Sequence, residues 1–193
     1  MLGNRAPVYP DMILTEEGRP CASIILAENP TEKAAAAARD LQETIYRMSG
    51  ALLSLRSDEE EVAGPRILVG ESRETVEMGI PIPHGFPENE RVILRREGER
   101  LVLMGNDDSL FTGTQFAVTM FLEKLGCGWF GPDELWQVIP EKKTLRIGKL
   151  DVDHTPQFSA RISNVWYNYQ KFSERWYMGG DKKNIGHNIA TLV

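Results

Sequence analysis

The residue types best suited to chemistry are three histidines (His84, His154, His187), two cysteines (Cys21, Cys127) and the acidic run Asp58-Glu59-Glu60-Glu61. A metal centre wants such ligands at helical or hairpin spacing. The histidines lie far apart in three different contexts, and the cysteines form no metal-type pair. The cysteines are expected to be unpaired core thiols. General acid–base hydrolysis needs two carboxylates facing each other across a substrate, whereas the four acids are sequence neighbours in a polar loop and read as solvated charge. "GNDDSLFTGTQ" precedes a helix and suggests a phosphate cradle, since helix N-termini attract anions. Asp107 and Asp108 place negative charge where phosphates would sit, and there is no Walker lysine and no strand–GxGxxG–helix unit. The loop is expected to be a tight Asx-type turn. No GxSxG elbow and no Cys/His pairing marks a nucleophile. The chain is thus expected to hold no metal, no cofactor and no catalytic residue.

The partners are constrained by composition. The 193 residues carry a net charge of −6 with no Lys/Arg cluster, which argues against a nucleic-acid-binding face. With 41% hydrophobic and 26% charged residues, the chain can bury an ordinary globular core. No apolar run approaches the ~20 residues of a membrane span. The opening "MLGNRAPVYPD" lacks the apolar segment of a signal peptide.

The elements that must position any site follow from periodicity. "DMILTEEG" and "ASIILAE", separated by Gly18-Arg19-Pro20, read as a hairpin. "NPTEKAAAAARDLQETIYRMSG" is the strongest helix: Asn29 as its cap, Pro30 in the first turn, an apolar stripe Ala34, Ala38, Leu41, Ile45, Met48, and Gly50 as its stop. "RILVG" reads as a central buried strand, "SRETVEMG" as a short helix, and "IPIPHGFPENE" as a proline-stiffened loop. "RVILRREGERLVLMG" is a hairpin turning at Glu97-Gly98-Glu99. A second helix, capped by Thr112 or Thr114, presents Thr114, Ala117, Val118, Phe121, Leu122 and Leu125 at helical spacing. "WQVIPEKKTLRIGKLDV" adds a last strand or two. Strands interleaved with helices predict an α+β fold, an α/β sandwich whose mixed or antiparallel sheet has helices packed on it.

Composition changes near Asp151. The last 43 residues contain Phe158, Trp166, Tyr167, Tyr169, Phe172, Trp176 and Tyr177, without a second hydrophobic face of their own. Two segments are expected: residues 1–150 as a non-catalytic domain, and residues 151–193 as a linker and the opening of a further domain.

The order "ASIILAENPTEKAAAAARDLQETIYRMSGA", "RILVGES", "ILRREGERLVLMGNDDSLFTGTQFAVTMFLEKLGCGWFGPDELWQVIP", "TPQFSAR" resembles the domain preceding the catalytic barrel in certain glycoside hydrolases. The likeness is to the N-terminal domain of family 67 α-glucuronidases and related bacterial proteins, and a similar domain precedes the barrel in family 20 β-hexosaminidases. It spans roughly residues 10 to 165. Its most specific part is the block from Gly105 to Pro132. The resemblance implies an α/β sandwich without catalytic residues, followed by the first strand of a (β/α)8 barrel that starts at Pro156, Phe158 and Arg161. In such enzymes that arginine often reaches the sugar of the −1 subsite. Arg161 then has two readings, a bidentate grip on a sugar or an interdomain ion pair. Trp166 could offer a stacking face, although aromatic burial in a core or interface outweighs stacking for the tail. Trp129 and Phe130 are expected at the sheet edge or wedged against the barrel.

The resulting expectation is an accessory domain of a larger carbohydrate-active glycoside hydrolase. Its partners would be the catalytic barrel of the same polypeptide and, through the parent enzyme, an oligo- or polysaccharide. The barrel needs about 250 residues and only a short stretch of it lies before Val193. Parents of this kind are often exported. The alternative is a stand-alone carbohydrate-binding or protein-interaction module.

Overall fold

A computed structural model of the chain describes residues 10–81, 83–131, 134–158, 160–161 and 175–180. The chain runs through β1 (Met12–Glu16), β2 (Arg19–Pro20), β3 (Ser23–Leu26), α1 (Glu32–Ser49), β4 (Ser54–Ser57), β5 (Arg66–Val69) and α2 (Arg73–Glu77). It continues through β6 (Val92–Glu97), β7 (Arg100–Gly105), α3 (Gly113–Leu125), β8 (Gly128–Trp129), β9 (Gln137–Val138), β10 (Leu145–Ile147), β11 (Asp151–His154), β12 (Ala160–Arg161) and β13 (Gly179–Gly180).

The main sheet has six strands in the order β11-β6-β7-β5-β3-β4. Strands β4, β3, β5 and β7 run parallel, while β6 and β11 are antiparallel to their neighbours. Successive side chains on a strand point to opposite faces, and both faces here are covered. Ile24, Ile67, Val69, Leu101 and Leu103 enter the larger core with helices α1 and α3. Ile25, Leu68, Val102 and Met104 face the other way, where Ile80, just after α2, closes a smaller core. The fold is therefore an α+β sandwich on a mixed sheet, in agreement with the sequence pattern. β11 is its antiparallel edge strand although it lies past residue 150.

Helix α1 buries the expected stripe from Ala34 to Met48 and stops at Gly50 in the left-handed region (φ 77°). Its cap is Thr31, whose hydroxyl accepts the Ala34 amide at 3.0 Å, and Asn29 lies two residues further out. The chain enters extended at Thr31 (ψ 151°), so this is the last residue whose side chain can turn back on the first free amides. The alanines have a packing consequence. A Cβ on Gly70 would come within 2.9 Å of the Ala34 Cβ, so helix and strand end fit only because both residues are small.

The expected hairpin of Met12–Glu16 with Ser23–Leu26 does not form. β1 pairs with β10 and with the two-residue β2 in a separate three-stranded sheet, whereas β3 sits between β4 and β5. Pro20 has no amide to extend the ladder, and the amides of Cys21 and Ala22 both turn to the Leu14 carbonyl. Strand β4 was not legible in the sequence because "SLRS" is polar and short, and its pairing with β3 crosses the whole of α1.

Candidate functional site

Two places concentrate polar groups. The first lies where Phe158, Arg161 and residues 175–177 meet Glu90 and helices α1 and α3. Glu90 is buried, 5% exposed, and takes both terminal nitrogens of Arg161 at 2.5 and 2.8 Å. The Arg161 Nε donates to the Tyr177 carbonyl at 2.6 Å, and its Nη1 also reaches the Phe158 carbonyl. Four contacts thus occupy this guanidinium within the chain. β12 and β13 pair Arg161 with Gly179 across the same crossing. Arg175 pairs with Asp40 on α1 and lies 4.0 Å over the ring of Trp129. The Trp176 indole donates to the Trp129 carbonyl at 2.6 Å, and the Tyr177 hydroxyl donates to Glu123 on α3 at 2.6 Å. Burial and the Glu123 carboxylate both push the Tyr177 hydroxyl pKa well up, so it remains a donor.

Trp129 ends β8 and Phe130 follows it, and the two differ in burial. Trp129 is buried against the main core, whereas Phe130 is 71% exposed. The amide of Phe130 donates to the Trp136 carbonyl, and the side chain of Trp136 lies so close to Gly131 that a Cβ there would meet it at 2.4 Å. Trp136, just before β9, and Val138, within it, are exposed as well. Trp166 and His187 lie outside the described residues.

The second place is a crevice of about 640 Å³ along the C-terminal ends of the parallel strands. Its loops are those leaving β3, β4, β5 and β7, together with Pro83 and His84 from the segment before β6. Asp107 fills the N-terminus of α3: Thr112 makes no side-chain cap bond, and Asp107 accepts the Thr114 amide at 3.0 Å instead. Burial pushes the Asp107 carboxyl above the usual range. Asn106 accepts the Asp108 amide at 2.8 Å, the Asx turn expected of this loop. Lys33 ties the loop down through the carbonyls of Asp107, Ser109 and Phe111. Asp108 accepts the Gly85 amide at 2.7 Å and meets the His84 ring, and these bonds hold its carboxyl below the usual range.

Cys127 is a buried thiol whose pKa desolvation pushes up to about 11, which keeps it protonated and non-nucleophilic. Cys21 is exposed rather than in the core, because the chain turns at the sheet rim there. Among the described residues no three His, Cys, Asp or Glu side chains are grouped to hold a metal. Among the same residues no helix is long and apolar enough to cross a membrane. Sequence reasoning named Arg161 but missed Glu90, 71 residues away, and no local signal announced that pairing.

No protein-family model matches the sequence, and no curated protein matches it. Among solved structures, the chain is similar to a family GH115 4-O-methyl-α-glucuronidase with specificity for decorated arabinogalactans. The TM-score is 0.56 at 24% identity, and the match covers 78% of this chain and 19% of that one. This similarity establishes a shared fold with part of a glycoside hydrolase, while the likeness to families 67 and 20 rests on sequence motifs alone. The chain spans less than a fifth of that enzyme's length.

Proposed function

We propose that this chain is the non-catalytic accessory domain of a larger carbohydrate-active glycoside hydrolase, and that it supports a catalytic (β/α)8 barrel in the same polypeptide. The observation that carries this reading is the shared fold: most of this chain superposes on a small part of a much longer glucuronidase. The motif order seen in families 67 and 20 agrees with it. We place the junction after β11, because that strand still pairs in the main sheet.

The crossing segment fits the role of a clasp. Arg161 and Arg175 pin the chain beyond the junction to Glu90 and Asp40. Of the two readings of Arg161, the ion pair is favoured, since Glu90 and two carbonyls already occupy its guanidinium. Trp129 then serves as the buried anchor of the clasp. Phe130, with Trp136 and Val138, forms the apolar surface on which the barrel would rest, continuous with the edge already met by Trp176. Trp166 stays assigned to packing or to a sugar-stacking face of that barrel. An oligo- or polysaccharide would be bound by the parent enzyme.

The purified 193-residue chain should hydrolyse no aryl glycoside, including glucuronides and N-acetylhexosaminides. Steady turnover abolished by mutating one of its own carboxylates would overturn the reading.

A further inference from the structure

The crevice has a topology that the clasp lacks. From β3 the chain crosses over α1 to β4 on one side of the sheet order, and from β5 it continues toward β6 and β7 on the other. The two connections also leave toward opposite faces: α1 packs in the larger core, and the segment after α2 closes the smaller one. Between the C-terminal ends of β3 and β5, the loops therefore part and leave a gap. In open α/β sheets ligands bind in crevices at such switch points. The volume of about 640 Å³ lies inside the range of small-molecule sites, roughly 300–1,000 Å³.

The lining is specific about what could enter. Ala34, Val76 and Met104 contribute apolar surface. Several acids are already engaged: both oxygens of Asp58 accept backbone amides, from Glu28 and from Arg73, Asp107 accepts the Thr114 amide, and Asp108 accepts the Gly85 amide. Two groups on the β3 and β5 loops are not engaged. Asn29 makes no side-chain hydrogen bond among the described residues, and Glu71 has only the His84 ring at 3.8 Å, too far for a hydrogen bond. An amide that both donates and accepts, lining the same crevice as an acceptor-only carboxylate, matches hydroxyl groups, which donate and accept in turn. Asp58, Glu71, Glu77, Asp107 and Asp108 surround Arg73 and His84, so the field in the crevice disfavours phosphates and uronates.

We propose that this crevice is a binding site for a small uncharged polyol, a neutral mono- or disaccharide held by Asn29 and Glu71. The site belongs to the sheet of this domain and does not depend on whether a barrel follows. Gly70 directly precedes the lining residues Glu71 and Ser72, and its positive φ (76°) and close approach to Ala34 fix where the β5 loop departs.

Amide chemical-shift mapping of the 193-residue chain tests the assignment, with galactose, arabinose and xylose as neutral probes, glucuronate as the anionic probe and ethanolamine as the cationic one. At least one neutral sugar should shift the amides of Asn29, Gly70, Glu71 and Gly105 in a saturable way, with glucuronate leaving them unmoved. Glu71→Ala and Asn29→Ala, both at exposed positions, should each weaken that binding about tenfold or more with the rest of the spectrum unchanged. Crevice amides that no neutral sugar moves would overturn the proposal. So would ethanolamine binding alone, shifts confined to Phe130 and Trp136, or equal binding by glucuronate.

Discussion

The clasp and the crevice sit on the same small domain and are built in opposite ways. At the clasp, three polar side chains among the described residues of the tail find partners inside the chain: Arg161 with Glu90, Arg175 with Asp40, Tyr177 with Glu123. In the crevice, backbone amides satisfy some acids, while Asn29 makes no side-chain hydrogen bond among the described residues and Glu71 has only the His84 ring at 3.8 Å. Closed polar networks fix a geometry, whereas side chains without protein partners keep hydrogen-bonding capacity for water or a ligand. A charge that would have suggested sugar binding at Arg161 is thus spent on holding the chain, and the unspent hydrogen-bonding capacity lies elsewhere.

The largest effect should come from removing the buried anchor. Trp129→Ala deletes a core side chain together with the surface under Arg175, and should cost about 3–5 kcal/mol in urea unfolding. Loss of under about 1 kcal/mol would mean that the clasp side is loosely packed. Somewhat smaller is the cost of leaving Glu90 without its partner. Arg161→Met should destabilise by about 3 kcal/mol, and adding Glu90→Leu should recover most of that, because an unpaired buried charge costs more than an apolar pair. If the double variant is no better than the single one, the ion pair is not what holds the crossing.

What the sequence revealed followed the range of the interaction. The stripe on α1 and the one on α3 were legible because 3.6-residue periodicity is local, as was the hairpin of β6 and β7 around Gly98. The pairing of β1 with β10 was not legible, since it joins residues more than a hundred positions apart, and β4 lacked any apolar signature. The site divided in the same way. Arg161 and Trp129 could be picked out by type and motif, but Glu90 became the partner of Arg161, and Arg175 came to lie over Trp129, only through tertiary folding. The crevice was least legible, because its lining is gathered from the ends of four strands and no single loop carries a pattern. The phosphate cradle at Asp107-Asp108 was rejected on charge and on the missing Walker lysine and GxGxxG unit, and Asp107 does occupy the α3 N-terminus.

The central claim, that this is an accessory domain of a larger glycoside hydrolase, is tested most directly by reading the gene beyond codon 193. The account predicts an open frame continuing for several hundred codons, with the repeating strand–helix pattern of a barrel and two acids placed at strand ends. A stop codon directly after Val193 would contradict it.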